Sequence, residues 1–243
     1  MGLRIACDLD GTLADMESAL QREAERLYGP DVSLRGVKVP AVAEPADDGD
    51  ALGDPARVTS APPTASSGPE KPGLTSRQMR RLWNHVLKLE DFWQSLSEIE
   101  PGSVARLAGL ASKHGWEVLF LTQRPASSGR TAQLQSQRWL HAHGFELPSV
   151  YVMTGSRGRV ADALALDVVI DDRPENCLDV VTDSKARALL VWRDPATPVP
   201  PAAARLGIEP VASMAEALDL LEQTTRTEKP AGLVDRLRAA IGL

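Results

Sequence analysis

Aromatic residues are scarce: five Trp, three Phe and two Tyr amount to 4% of 243 residues. A core must therefore come mainly from Leu, Val and Ala, for which a 43% hydrophobic content is ample. Cysteine is nearly absent. Cys7 and Cys177 each lie in or beside an apolar stretch, which gives no disulfide framework and leads us to expect a reducing, cytoplasmic setting. No apolar run approaches the roughly 20 residues of a membrane span. The opening MGLRIACDLDGTLAD turns acidic too soon for a secretory signal. Positive charge is not in excess either: the formal net charge of -6 argues against nucleic-acid polymers and anionic membranes as partners. A small anionic ligand is still admissible, because a bound cation reverses the field locally. Neither GxxxxGK[ST] nor GxGxxG occurs, which argues against nucleotide-dependent kinases and dehydrogenases.

The length suits one α/β domain with an insertion, or two small domains. Short apolar runs recur at 3–7, 117–121, 149–153, 167–170 and 188–192. Between the later ones lie segments of helical period, such as 131–143 and 160–166. Strands alternating with helices predict a parallel sheet covered on both faces, a three-layer Rossmann-like core. After a helix-like piece at Met16–Tyr28, residues 39–73 are Pro, Ala, Gly, Ser and Asp with hardly a large side chain. Such a segment buries too little to order itself, so a disordered loop is expected there. Helical character returns after Thr75, a plausible N-cap, and a further helix is expected at Ser103–His114. Residues 193–210 read as an extended connector, followed by helices at 214–222 and 231–241. The expected organisation is a core of 1–15 and 100–223, a helical cap of 16–99, and a helical tail of 224–243.

The chemistry-bearing residues follow strands: IAC-Asp8, LFL-Thr122 and VVI-Asp171-Asp172. In an open parallel sheet, ligands bind at the carboxyl ends of strands, so three strands deliver polar groups to one edge. Asp8 and Asp10, two apart on an extended chain, face one way. Gly11 permits a tight turn, and Thr12 offers a hydroxyl and an amide to an anion. Four converging carboxylates repel one another, and a divalent cation relieves that. An oxygen-only site without His or Cys suits magnesium. A carboxylate beside magnesium can attack phosphorus and form an aspartyl-phosphate.

CDLDGTLAD, LFLTQRP and VVIDDRPEN resemble the first, second and fourth motifs of the haloacid dehalogenase-like (HAD-like) superfamily. The resemblance covers residues 1–15 and about 100–195. It implies that Asp8 is the nucleophile and Asp10 the general acid/base. Magnesium would be held by Asp8, the Asp10 carbonyl and the Asp171–Asp172 pair, with Asp172 preferred as the direct ligand. Thr122, the amide of Gln123 and the loop residues Gly11 and Thr12 would hold the phosphoryl oxygens, and Arg124 would approach the same phosphate. The third motif is a basic residue, and this sequence offers Arg159, which we prefer, or Arg157. Asp at position 10 favours phosphate-ester hydrolysis over the dehalogenating or phosphorylating members. IDDRPEN and the short cap are closest to the deoxyribonucleotidase branch, which makes a nucleoside monophosphate the expected substrate among small phosphorylated metabolites. A sugar phosphate or another metabolite is the alternative. So is a non-catalytic binder of phosphorylated ligands, against which the intact acidic positions argue.

Other conspicuous residues read as structural. His141 and His143, two apart on a helix, do not face one ligand. Cys7 is expected as a buried strand thiol. Trp83 and Trp93 are expected to pack the insertion, the alternative being that one stacks on a base.

Overall fold

The computed structural model describes residues 2–34 and 73–228. The expected loop at 39–73 lies almost wholly outside the described residues, as does the expected helix at 231–241.

The chain opens with strand β1 (Arg4–Asp8), followed by α1 (Met16–Tyr28), α2 (Ser76–Val86), a 3-10 turn at Phe92–Gln94 and α3 (Ser103–His114). Then come β2 (Glu117–Thr122), α4 (Ala132–Ala142), β3 (Ser149–Val152), α5 (Arg157–Ala163), β4 (Val168–Asp171), α6 (Pro174–Asp183) and β5 (Arg187–Val191). α7 (Pro201–Arg205), β6 (Glu209–Val211) and α8 (Met214–Glu228) complete it. Six strands pair in parallel in the order β3-β2-β1-β4-β5-β6. The chain therefore reverses direction across the sheet beside β1, with β2 on one side and β4 on the other.

Alternate residues of the strands feed opposite cores, as the two-residue period of a strand requires. Ile5, Cys7, Phe120, Ile170 and Leu189 share one cluster with Val104, Leu107, Leu218 and Leu221 of α3 and α8. Ala6, Leu121, Val169 and Leu190 share the other with Ala161, Cys177 and Val180 of α5 and α6. Burial on both faces explains the unbroken apolar runs in the sequence. Helix starts are set by side-chain caps: Asp15 accepts from Ser18 N, Thr131 from Leu134 N, and Ser156 from Arg159 N. Thr75 and Gln78 form a reciprocal capping box at α2.

The cap lies between β1 and β2 and carries α1–α3. Its two stems are joined by backbone bonds, Asp15 N to Ser97 O at 2.9 Å and Ile99 N to Leu13 O at 2.9 Å. Trp83 and Trp93 are buried within it, as expected for packing residues. Two expectations are corrected here. The 193–210 connector contains α7 and the edge strand β6, which at three residues, one of them Pro210, is too short to show a pattern. α8 also runs on to Glu228, past the expected end at Glu222. Among the described residues, no helix is long and apolar enough to cross a membrane.

α5 and α6 approach closely at Gly158, where an added Cβ would lie 2.1 Å from the Asp179 carbonyl oxygen. The Gly158 amide also donates to the Asp179 carboxylate at 3.1 Å. Helix propensity alone makes Gly→Ala stabilising by up to about 1 kcal/mol. The clash reverses the sign: Gly158→Ala is expected to destabilise by about 1–3 kcal/mol in a denaturation curve. An unchanged or raised midpoint would mean that the two helices part without cost.

Candidate active site

Three strand ends and the first residue of a helix meet at one edge of the sheet. β1 ends in Asp8, β2 in Thr122 and β4 in Asp171, while Arg157 opens α5. A carboxylate oxygen from each of Asp8, Asp171 and Asp172 lies within 4.8 Å of the others. Gly11 closes the turn after β1 at φ +90, and an added Cβ would sit 2.1 Å from Asp172 Oδ2. Only glycine suits both the left-handed backbone and that approach. The buried Thr12 hydroxyl lies 3.4 Å from Asp172 Oδ1.

Arg157 is 3% exposed and is the cation placed among these carboxylates. Its Nη2 donates to Asp8 Oδ1, and its Nε lies 2.9 Å from Asp171 Oδ2 but off the line of its own N–H. Nη1 has no hydrogen-bond partner among the described residues. Arg159 is exposed, its backbone amide spent on the Ser156 cap. The geometry thus brings Arg157, and not the preferred Arg159, to Asp8. Since α5 begins at Arg157, the two arginines stand about 200° apart around its axis.

Asp10 is set apart from the triad by its side chain. Arg124 holds it in a fork, Nε to Oδ2 at 2.8 Å and Nη2 to Oδ1 at 2.7 Å, and Thr122 Oγ1 adds a bond of 3.3 Å. Arg124 is itself fixed by Ser136 Oγ at 2.9 Å and lies over the Trp93 ring, 5.3 Å from its centroid. Arg124, expected beside a phosphate, grips Asp10 and lines the cavity that Asp8 also lines. Gln123 lines the same cavity.

Asp171 is the best satisfied carboxylate. It accepts from Arg173 N at 2.9 Å and from Asn176 Nδ2 at 3.0 Å, in addition to facing Arg157. Burial still raises its pKa, opposed by Arg157 and these hydrogen bonds. Burial pushes Asp8 well above the usual carboxylate range; Arg157 opposes it, and the neighbouring carboxylates add to it. Asp172 is pushed up to about 7 by burial and then by Asp171. One guanidinium against two buried carboxylates and the half-buried Asp172 leaves negative charge in excess. The oxygen-only donor set fits a hard divalent cation such as magnesium.

Sequence reasoning missed Arg193, which holds the loop after β1 from behind. It donates from Nη1 to the Gly11 carbonyl at 2.6 Å and from Nη2 to the Thr12 carbonyl at 2.8 Å. Glu100 binds Arg193 at 2.8 Å and accepts from the Met214 and Ala215 amides at the start of α8. Burial works to raise the Glu100 pKa, but those bonds prevail and hold it below its ordinary value. Arg193 comes just after the fifth apolar run, so the strand-end rule that exposed Asp8 would have exposed it too. Ser136 and Gln135, buried polar residues on α4, gave no such signal.

The raised pKa of Asp172 has a measurable consequence. An acid raised from 3.8 to about 7 on folding favours the folded state less as pH climbs through that interval, and the loss levels off above 7. A cation binds the deprotonated cluster and removes this penalty. Millimolar magnesium, compared with EDTA, should raise the thermal midpoint more at about pH 8 than at about pH 5.5. No shift at either pH would rule out a cation site at these carboxylates.

No protein-family model matches the sequence, and no curated protein is similar to it. Among solved structures, the chain is similar to a hydrolase from Pseudomonas syringae, with 16% identity, 91% of this chain and 98% of that one covered, and a TM-score of 0.47. It is also similar to a HAD family hydrolase from Deinococcus radiodurans R1 with bound phosphate and sodium: 18% identity, 92% and 97% covered, TM-score 0.51. The six-stranded parallel sheet, with its cap between β1 and β2, is the fold of the HAD family hydrolases.

Proposed function

We propose that this chain is a magnesium-dependent phosphatase that hydrolyses a small phosphate monoester through a phosphoryl group carried on Asp8. The observation behind this is the placement of Asp8 between a buried guanidinium and two more carboxylates, on the lining of a cavity of about 760 Å³. Phosphate is the anion bound by the Deinococcus protein of the same fold, which supports a phosphorylated ligand.

Asp8 and Asp172, with Asp171 beside them, would hold the cation; when bound, it neutralises charge between the nucleophile and the phosphate. Asp171 is already engaged by two hydrogen-bond donors and paired with Arg157, which favours Asp172 as the direct ligand. The unpartnered Arg157 Nη1 is the open donor for phosphoryl oxygens, and the buried hydroxyls of Thr12 and Thr122 would join it by turning from Asp172 and Asp10.

In the first step an Asp8 oxygen bonds to phosphorus as the ester P–O bond breaks. Asp10 gives a proton to the departing oxygen, and the alcohol leaves. Water then attacks phosphorus and loses a proton to Asp10, while the Asp8–phosphorus bond breaks and its electron pair returns to the carboxylate. Arg124 keeps Asp10 in one orientation through both steps. The resemblance points to a nucleoside monophosphate, but Trp93 gives a base no open ring: it is fully buried, with Arg124 over it and Phe92 edge-on at 5.0 Å.

Asp8→Asn keeps the volume and removes the nucleophile. Turnover of phosphate esters should fall by about three orders of magnitude or more. The metal-free thermal midpoint should hold or rise, because a buried charge is lost. Activity close to wild type would exclude covalent catalysis at Asp8. Binding of phosphate esters without turnover in the wild-type protein would favour a non-catalytic ligand sensor.

A further inference from the structure

The cavity has two unlike ends. The end built from Asp8, Asp10, Thr122, Arg157 and Asp172 is charged. Away from it, the core side of the wall is Leu178, Trp192, Pro200, Leu206 and Ile208, and the cap side is Met16, Leu34 and Trp83.

Leu178 and Leu206 are 41% and 48% exposed, so two large apolar side chains border the same opening and gain little by folding alone. The tryptophans turn their polar atoms into the protein: Trp192 Nε1 donates to Thr197 O at 2.7 Å and Trp93 Nε1 to Pro125 O at 3.1 Å. Trp192 therefore offers carbon to the cavity, while Trp93 is fully buried under Arg124. Of the polar side chains on the lining, Arg124 is committed to Asp10 and Ser136, and Asn176 to Asp171, while Gln123 and Arg173 line it as well. Glu17 and Glu175 stand exposed at the lining. Along the Leu178–Trp192–Leu206 wall a sugar would bury hydroxyls without partners, which is penalised, whereas a hydrocarbon loses nothing.

Resting on the phosphatase reading, we infer that the substrate is a phosphate monoester of an apolar alcohol, whose hydrocarbon part lies along the Leu178–Trp192–Leu206 wall while its phosphate meets Asp8. Continuity of that wall with the carboxylates in one cavity identifies the occupant as the leaving group.

The test uses the full chain with magnesium and the n-alkyl phosphates from ethyl to octyl, with glucose 6-phosphate and adenosine 5′-monophosphate as polar comparisons. Hexyl and glucose 6-phosphates are both primary alkyl esters, so their chemistry at phosphorus is matched. We expect kcat/KM to rise by up to about fourfold per added methylene before levelling off. Hexyl phosphate should exceed glucose 6-phosphate by tenfold or more. The double variant Leu178→Ser, Leu206→Ser should flatten the dependence on chain length. A flat dependence in wild type, or preference for either polar ester, overturns the inference while leaving hydrolysis at Asp8 intact. Calorimetry with alkyl phosphonates separates the remaining case. Affinity rising with chain length without hydrolysis of any ester upholds the ligand class and defeats the phosphatase reading. Affinity indifferent to chain length overturns the ligand class whatever the turnover.

Discussion

Three carboxylates gathered around one arginine at the end of a parallel sheet are the constraint to which the rest of this structure answers. Burial in low dielectric disfavours each charge, and proximity adds to the cost. A fold tolerates this only where the surrounding backbone leaves the side chains nowhere else to go. Here Gly11 closes the turn against Asp172, Asn176 and the Arg173 amide hold Asp171, and Arg157 enters from α5. The site is thus pre-formed by its neighbours, and its three carboxylates lie close enough together to hold a cation.

The same logic extends behind the site. Arg193 grips two carbonyls of the turn after β1, and Glu100 ties that arginine to the first amides of α8. The loop bearing Asp10 is consequently held by elements far apart in sequence. Both Arg193 and Glu100 lie partly buried, where a charge-assisted pair is worth more than on an open surface.

Much of this was legible in the sequence, for a physical reason. A sheet covered on both faces writes its strands as unbroken apolar runs, so a polar residue just after such a run marks the ligand-binding edge. Asp8, Thr122, Asp171 and Asp172 were found in that way. Caps made helix boundaries equally readable: α1 and α3 occupy the expected residues, and Thr75 caps α2. What escaped depends on packing across the fold. The choice between Arg157 and Arg159 turns on where α5 begins and on how closely Gly158 lets it approach α6, neither of which is a local property. β6 is too short to carry a pattern, and the fork between Arg124 and Asp10 joins residues separated by 114 positions.

Trp93 belongs to the inserted segment, yet its ring lies against Arg124 and its amide is bound by Gln135 of α4. The insertion therefore ends in a piece of the candidate site's own framework. Caps in a fold of this kind look like interchangeable modules, exchanged to give one core many specificities. In this chain the seam of any such exchange has to fall before the 3-10 turn. A graft cut after it would carry off the side chain against which Arg124, and through it Asp10, is held in place.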